Sequence, residues 1–537
     1  MKRAHAAAAV LTLWLAALPS CGRDRAAVGG ARTETTSALP DTLCADPSKW
    51  NQLCSTIPHE VMVTLGGDYH GLNAQTQTRF DAFSWQSFVA LNWPSDGAGN
   101  PLPGSLTDNP GAPRVWEGWT NAAVLFWGDS AGSPCASMRG QAGGRGKVLM
   151  QMAKNGTVVN THASFDEAVG GPLLDRNLNF AVFEKMVSPD EARYIRDSSL
   201  VTVAGQEAID TIDFPAGSYA NDTTMSGGQV GAMEVKAAWR ILQPAAGDDT
   251  TRYYHTQALI AVPAENSATG QAFCINAMVG LVGLHIIHKT SSFGAWVWST
   301  FEQEDNAPTC PQGGGSCGDT AVRYSFYNPA CANCQVNTSL RDSAFLADSM
   351  FLWNPTAPYG SRYAVDSTYG SQLTRTQPVY VPTDSMNAMW RAKLGNSVWR
   401  HYRLIGSQWQ AIVPSYPKSD TSNAPPILGN TTLESFIPNT SSCISCHAFA
   451  GTAGSPSKSA DFSFLLGMAG SQPTMMAPFV LESNTARGAA ARERLARMGL
   501  STRASTPAPT NPAAGATPPA TAPAMSPAAP PARPRRR

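Results

Sequence analysis

Charge is scarce in this chain: Asp, Glu, Lys and Arg make up 15% of its 537 residues. Neither sign prevails, because thirty-nine basic residues meet thirty-nine acidic ones. That balance removes the electrostatic case for nucleic-acid binding, which calls for a basic face. After the first twenty residues the chain also lacks an apolar run of ~18 or more residues, the length a transmembrane helix needs. The nearest approach, residues 272–287, is interrupted by Asn276, Gly280, Gly283 and His285. A phosphate-binding loop is missing too. Around Gly143-Gly144-Arg145-Gly146-Lys147, Gln141 stands where the first glycine belongs and Val148 replaces Ser or Thr.

The N-terminus carries a different signal. Lys2 and Arg3 precede an apolar stretch, Ala6 to Ala17, too short for a permanent span. This pattern predicts an export signal peptide over residues 1–20. It ends in Leu18-Pro19-Ser20-Cys21, which resembles the lipobox of bacterial lipoproteins. The resemblance implies a lipid on Cys21 and a membrane tether, in the periplasm, at the outer membrane or at the cell surface, with plain secretion as the alternative. Small polar residues over 21–43 read as a flexible tether.

Eleven cysteines fit an oxidising compartment. Setting aside Cys21, Cys443 and Cys446 leaves eight, an even number that suits disulfides. Neighbour pairing suggests Cys44 with Cys54 and Cys310 with Cys317. Cys331-Ala332-Asn333-Cys334 reads as a disulfide first and as half of a zinc site second.

The fold expected is α+β: a large β-rich body over 44–430 and a small helical segment over 431–500. An Ala/Pro/Thr-rich tail over 501–537 has nothing to bury and is expected to be disordered. Helices are expected at Thr76–Leu91, where Phe80, Phe83, Phe88 and Leu91 recur at near-helical spacing, at 188–196 behind a Ser-Pro-Asp-Glu start, and at Asp384–Leu394. Short helices are expected at Leu433–Phe436 and Thr485–Met498. Strands are expected at Phe180–Glu184, Met233–Leu242, Tyr253–Val262, Phe273–His288, Trp296–Phe301 and Val398–Ile405, which are rich in β-branched and aromatic residues. Glu302, Glu304 and Asp305 follow one of these strands and read as a solvated turn, with catalysis as the rival.

The strongest chemical signal is Cys443-Ile444-Ser445-Cys446-His447. Residues three apart share one side of a helical turn, so both thiols can add to the two vinyl groups of one haem. The adjacent histidine can then reach the iron from the proximal face. The reading is one covalent haem c held by Cys443, Cys446 and His447. A structural Cys443–Cys446 bridge is the rival.

Residues 439–450, with Asp461-Phe462-Ser463-Phe464 after them, resemble the C-terminus of bacterial proteins described as cytochrome c family. Gly283-Leu284-His285-Ile286, Trp296 to Glu302 and Phe83 to Phe88 with Asn92-Trp93-Pro94 are similar to other signatures of that group. The resemblance implies haem binding and no particular reaction. A motif this late leaves no room for a small self-contained cytochrome, so the haem is expected to dock on the large body.

Met468, twenty-one residues after His447, and His285, in an apolar strand, are the candidates for the sixth iron ligand. His285 and His288 are three apart, which puts them on opposite faces of a regular strand. Electron transfer with a protein redox partner is the first functional reading. A haem enzyme, a peroxidase or oxygenase with an open iron position, is the second, and a surface scaffold with structural haem the third.

Overall fold

The computed structural model describes residues 52–61, 74–128, 135, 138, 147–150, 173–218, 228–310, 321–331, 334–338, 352–360, 370–410, 423–455 and 457–470. The export segment, Cys21, the tether, Met475, Met476, the helix expected at 485–498 and the tail lie outside them. All described residues fall within the compact unit that ends at Pro478.

The elements run as follows. Ala74–Leu91 is α1, Thr120–Asn121 β1, Ala122–Trp127 α2, Val148–Met150 β2, Val182–Val187 β3, Pro189–Asp197 α3 and Val203–Ala208 α4. Met233–Ile241 is β4, His255–Val262 β5, Phe273–His288 β6 and Val297–Gln303 β7. Val381–Leu394 is α5, Tyr402–Gln410 β8, Asn423–Ala424 β9 and Cys443–His447 α6. A 3-10 helix covers Phe464–Gly470.

Among the described residues the β-rich body is a nine-stranded sheet with the order β1-β3-β4-β6-β7-β8-β9, and β5 branches from β6 with β2 beyond it. All pairings are antiparallel except β2 with β5. The sixteen-residue β6 is the organiser. One edge pairs with β4, while β5 and then β7 take successive stretches of the other edge. Tyr402 closes the gap where β5 gives way to β7. Its hydroxyl donates to the Leu281 carbonyl at 2.8 Å and accepts from the Tyr254 amide at 3.0 Å.

Alternation along β6 separates two cores. Leu284 and Ile286 face α1 and α5, joining Trp85, Phe88, Trp390 and Trp399. Ile287 faces the other way, with Val187, Trp298, Ile444, Phe462, Leu465 and Met468. The stretch around Cys443 is therefore built onto the second face of the sheet. Helix α1 comes close to the first face because Ser84 replaces bulk with a hydroxyl, which bonds Ser299 at 2.7 Å and Ser407 at 2.6 Å.

Three local expectations need correction. Residues 398–401 form a 3-10 turn, and the strand begins only at Tyr402, since Val398 and Trp399 pack as a corner against the first core. Residues 431–436 form turns rather than a helix. Asn430 accounts for this: its carboxamide oxygen accepts from the Thr432 amide at 2.8 Å, while its amide group is spent on Thr300 and Phe301. The Glu302–Asp305 stretch is not a solvated turn. Glu302 is buried on Arg375, Asp305 is buried on Arg252, and Glu304 meets Arg252, Arg391 and His401. These carboxylates serve as the counter-ions of a structural ion-pair network.

The disulfide reading of the second Cys-x-x-Cys holds, because Cys331 and Cys334 are bonded to each other. Cys135 bonds Cys274 across 139 residues, a pairing that spacing did not suggest. Cys54 and Cys310 are disulfide-bonded as well, and Cys44 and Cys317, the partners expected for them, lie outside the described residues. No helix among the described residues is long and apolar enough to cross a membrane.

Candidate functional site

Helix α6 is a single turn. Ser442 caps it, its hydroxyl accepting from the Ser445 amide at 3.3 Å. Gln408 at the end of β8 fastens the turn to the sheet, because its carboxamide oxygen accepts from the Ile444 amide at 2.9 Å. Ile444 is fully buried against the second core. Cys443 and Cys446 flank it, half-buried, and neither is in a disulfide.

His447 closes the turn. Its Nδ1 lies 2.8 Å from the Phe462 carbonyl oxygen. A carbonyl only accepts, so Nδ1 carries the proton, and the lone pair of the neutral ring sits on Nε2. The ring is wedged between Trp298, with centroids 4.3 Å apart, and Phe464, at 4.8 Å. The carbonyl is aimed by an unusual backbone. Asp461 and Phe462 both adopt left-handed conformations, with φ of 53° and 67°. Such a conformation costs about 1–2 kcal/mol per residue. Buried bonds to the Asp461 carboxylate, from the Phe214 amide at 2.8 Å and from Lys289, hold it in place.

His447 opens on a cavity of about 610 Å³, counted with its mouth. The floor is the second face of the sheet. Lys185, Lys236, His285 and Thr300 form one row across β3, β4, β6 and β7, each opposite the next. Val187, Glu234, Ile287, Trp298 and Gln408 form the adjacent row. Phe464, Leu465 and Met468 supply the wall.

His447, His285 and Met468, chosen from sequence for one site, thus line the same cavity. Met468 is fully buried. His285 Nε2 lies 3.3 Å from a Glu434 carboxylate oxygen but makes no hydrogen bond of good geometry. His288, as alternation requires, faces away. It stacks on Phe83, its Nε2 meets the Val230 carbonyl at 2.5 Å, and burial lowers its pKa to about 4.

The residues present fit a haem. Two half-buried thiols stand beside a histidine whose Nε2 bears the lone pair a metal would need, and Ile287, Trp298, Phe464 and Leu465 give apolar walls. Lys185 and Lys236 give cations suited to carboxylates. Among the described residues no group of three or more His, Cys, Asp or Glu side chains is arranged to hold a bare metal ion. A porphyrin iron needs only axial protein ligands.

Reading the sequence alone missed Lys185, Lys236, Glu234 and Glu434. A signal for three of them was present: Met233-Glu234-Val235-Lys236 alternates inside an apolar strand, which marks a polar face, and Lys185 sits opposite it. No family model, curated protein or solved structure matches the chain.

Proposed function

We propose that this chain is an exported c-type cytochrome that holds one haem through Cys443 and Cys446, with His447 as the proximal iron ligand, and that it transfers electrons. The observation that carries this reading is the tether of His447 Nδ1 to the Phe462 carbonyl beside two thiols that form no disulfide. Metal-binding histidines are oriented in this way, with the second ring nitrogen on a fixed acceptor. When bound, the haem supplies an iron that cycles between ferric and ferrous states.

The chain's own residues have separable tasks. Gln408 and Ser442 fix the turn that bears the thiols. Trp298 and Phe464 keep the imidazole from rotating and exclude water from it. Lys185 and Lys236 offer charge to the propionates. The sixth ligand comes from His285 or Met468, both on the cavity. The helical haem-bearing segment, its export and its lipid tether at Cys21 belong to the same proposal.

The test is the pyridine haemochrome spectrum of the purified protein and of Cys446→Ser. Wild type should give a two-thioether spectrum, and the variant one shifted to the red by its remaining vinyl group. Alanine at the sixth ligand, His285 or Met468, should turn a low-spin ferric spectrum high-spin. A protein that stays low-spin in both variants excludes both residues. Catalysis at an open iron position is the second reading, favoured by the ionisable Glu234, Glu434, Lys185 and Lys236 along the cavity. Rapid carbon monoxide binding to untreated ferrous wild type would select it over electron transfer.

A further inference from the structure

The turn that aims the Phe462 carbonyl at His447 is a strained one. The Ser463 amide donates to the Ala460 carbonyl at 3.0 Å, which closes a turn over Ala460, Asp461, Phe462 and Ser463. Its two central residues, Asp461 and Phe462, have positive φ, 53° and 67°. A non-glycine pair of this kind is uncommon, and for a side chain as bulky as phenylalanine it is an outlier. Such backbone persists only where its surroundings over-determine it, and it clusters at functional sites.

A buried ion pair does the over-determining here. Lys289 follows β6 directly, and its own backbone is clamped on both sides. Its amide donates to the Ala232 carbonyl at 3.0 Å, and its carbonyl accepts from the Gly217 amide at 2.8 Å. Its Nζ lies 2.5 Å from Asp461 Oδ2, which also accepts from the Phe214 amide at 2.8 Å. Lys289 and Asp461 are both buried, whereas Asp213, the second partner of Lys289, has a side chain 67% exposed. For stability alone a buried pair of charges is a weak device, since apolar replacements of similar volume are often neutral or better. This pair instead holds the residue next to the carbonyl that accepts from His447 Nδ1.

We propose that Lys289 and Asp461 are positioning residues for the proximal histidine, and that through the Phe462 carbonyl they hold down the reduction potential of the haem. This inference rests on the haem reading above. A firm bond from Nδ1–H makes the imidazole a more basic ligand. A more basic ligand favours ferric iron over ferrous, and hydrogen bonding around the axial ligand is one of the protein's levers on potential. Lys289 thus acts on the iron at third hand, through the Asp461 carboxylate, the turn it fixes and the carbonyl that turn aims.

The experiment compares full-length haem-loaded wild type with Lys289→Met, Lys289→Arg and Asp461→Ala. Two quantities are read: the reduction potential, and the solvent exchange of the His447 Nδ1 proton by NMR in the ferrous protein. Lys289→Met should raise the potential by up to about 59 mV, a tenfold change in the ferrous-to-ferric ratio for one electron. Loss of a cation by itself would lower the potential, so the sign separates a lost tether from a lost charge. Exchange should quicken in Lys289→Met and Asp461→Ala, and Lys289→Arg should recover both wild-type values. A further readout does not depend on these variants folding. In the haem-free chain with Cys443→Ser and Cys446→Ser, nitrogen-15 NMR should find the His447 proton on Nδ1. A potential unchanged or lowered in Lys289→Met, or a His447 proton on Nε2, overturns the proposal while haem attachment stands. A preparation with no covalent haem overturns the haem reading and this tuning of it together.

Discussion

Asp81 shows what one buried carboxyl does to this fold. It lies in α1 without a cationic partner and accepts instead from Gln77 at 2.7 Å, Thr383 at 2.6 Å and Ser407 at 2.7 Å. Burial outweighs those bonds and lifts its pKa from 3.8 to about 6. A raised acid pKa means the folded state holds its proton more tightly. Its contribution to stability is complete below about pH 4 and is lost as pH rises through 6. At about 1.36 kcal/mol per unit, the loss is roughly 3 kcal/mol. Urea midpoints at pH 4 to 7 should therefore show wild type losing ground to Asp81→Asn as pH rises; parallel profiles would refute this. The same scale shows why His447 was legible from sequence and its orientation was not. The residue pattern singles out His447, but its tether is a carbonyl fifteen residues away, aimed by the left-handed backbone at Asp461 and Phe462. Neither residue type signals that conformation.

The decisive contacts between elements join stretches far apart in the chain. Gln408 on β8 holds α6, and Asn430 holds the turn above β6. Removing the Gln408 acceptor strands the buried Ile444 amide, a loss of about 1–3 kcal/mol. Gln408→Leu should speed hydrogen exchange across residues 442–447 while the amides of β6 stay protected; unchanged exchange at 442–447 would contradict this role. Gly283 is constrained by the same turn, because an added Cβ would collide with Thr432 Oγ1 and press on Asn430 Oδ1. Overpacking of this kind costs about 1–3 kcal/mol. Gly283→Ala should lower the melting temperature, whereas Gly270→Ala, with open space around its Cβ but a strained φ, serves as the comparison for backbone strain alone. Strand β6 and helix α3 matched their expected spans because alternation, capping and proline placement are local signals. The split of one β6 edge between β5 and β7 was not legible, since register depends on distant partners.

At the scale of the whole molecule, one sheet supplies a packed core on its first face and a cavity floor on its second. The β-rich character followed from composition and alternation, and so did the opposite orientations of His285 and His288. The Cys135–Cys274 link did not, because cysteine spacing cannot reveal which loops the sheet brings together. Closing 139 residues, it constrains the unfolded chain by about 4–5 kcal/mol in the chain-entropy account. Paired Cys135→Ala and Cys274→Ala replacements should cost much of that in guanidinium unfolding, and a variant as stable as wild type would contradict it. The central claim is that the second face was built to carry a covalent haem. Mass spectrometry of the peptide containing Cys443, Cys446 and His447, from protein exported in a host that attaches haem c, tests this most directly. The account predicts that peptide with the added mass of one haem, and without it when both cysteines are serine. An unmodified peptide, or one closed by a Cys443–Cys446 disulfide, would contradict it.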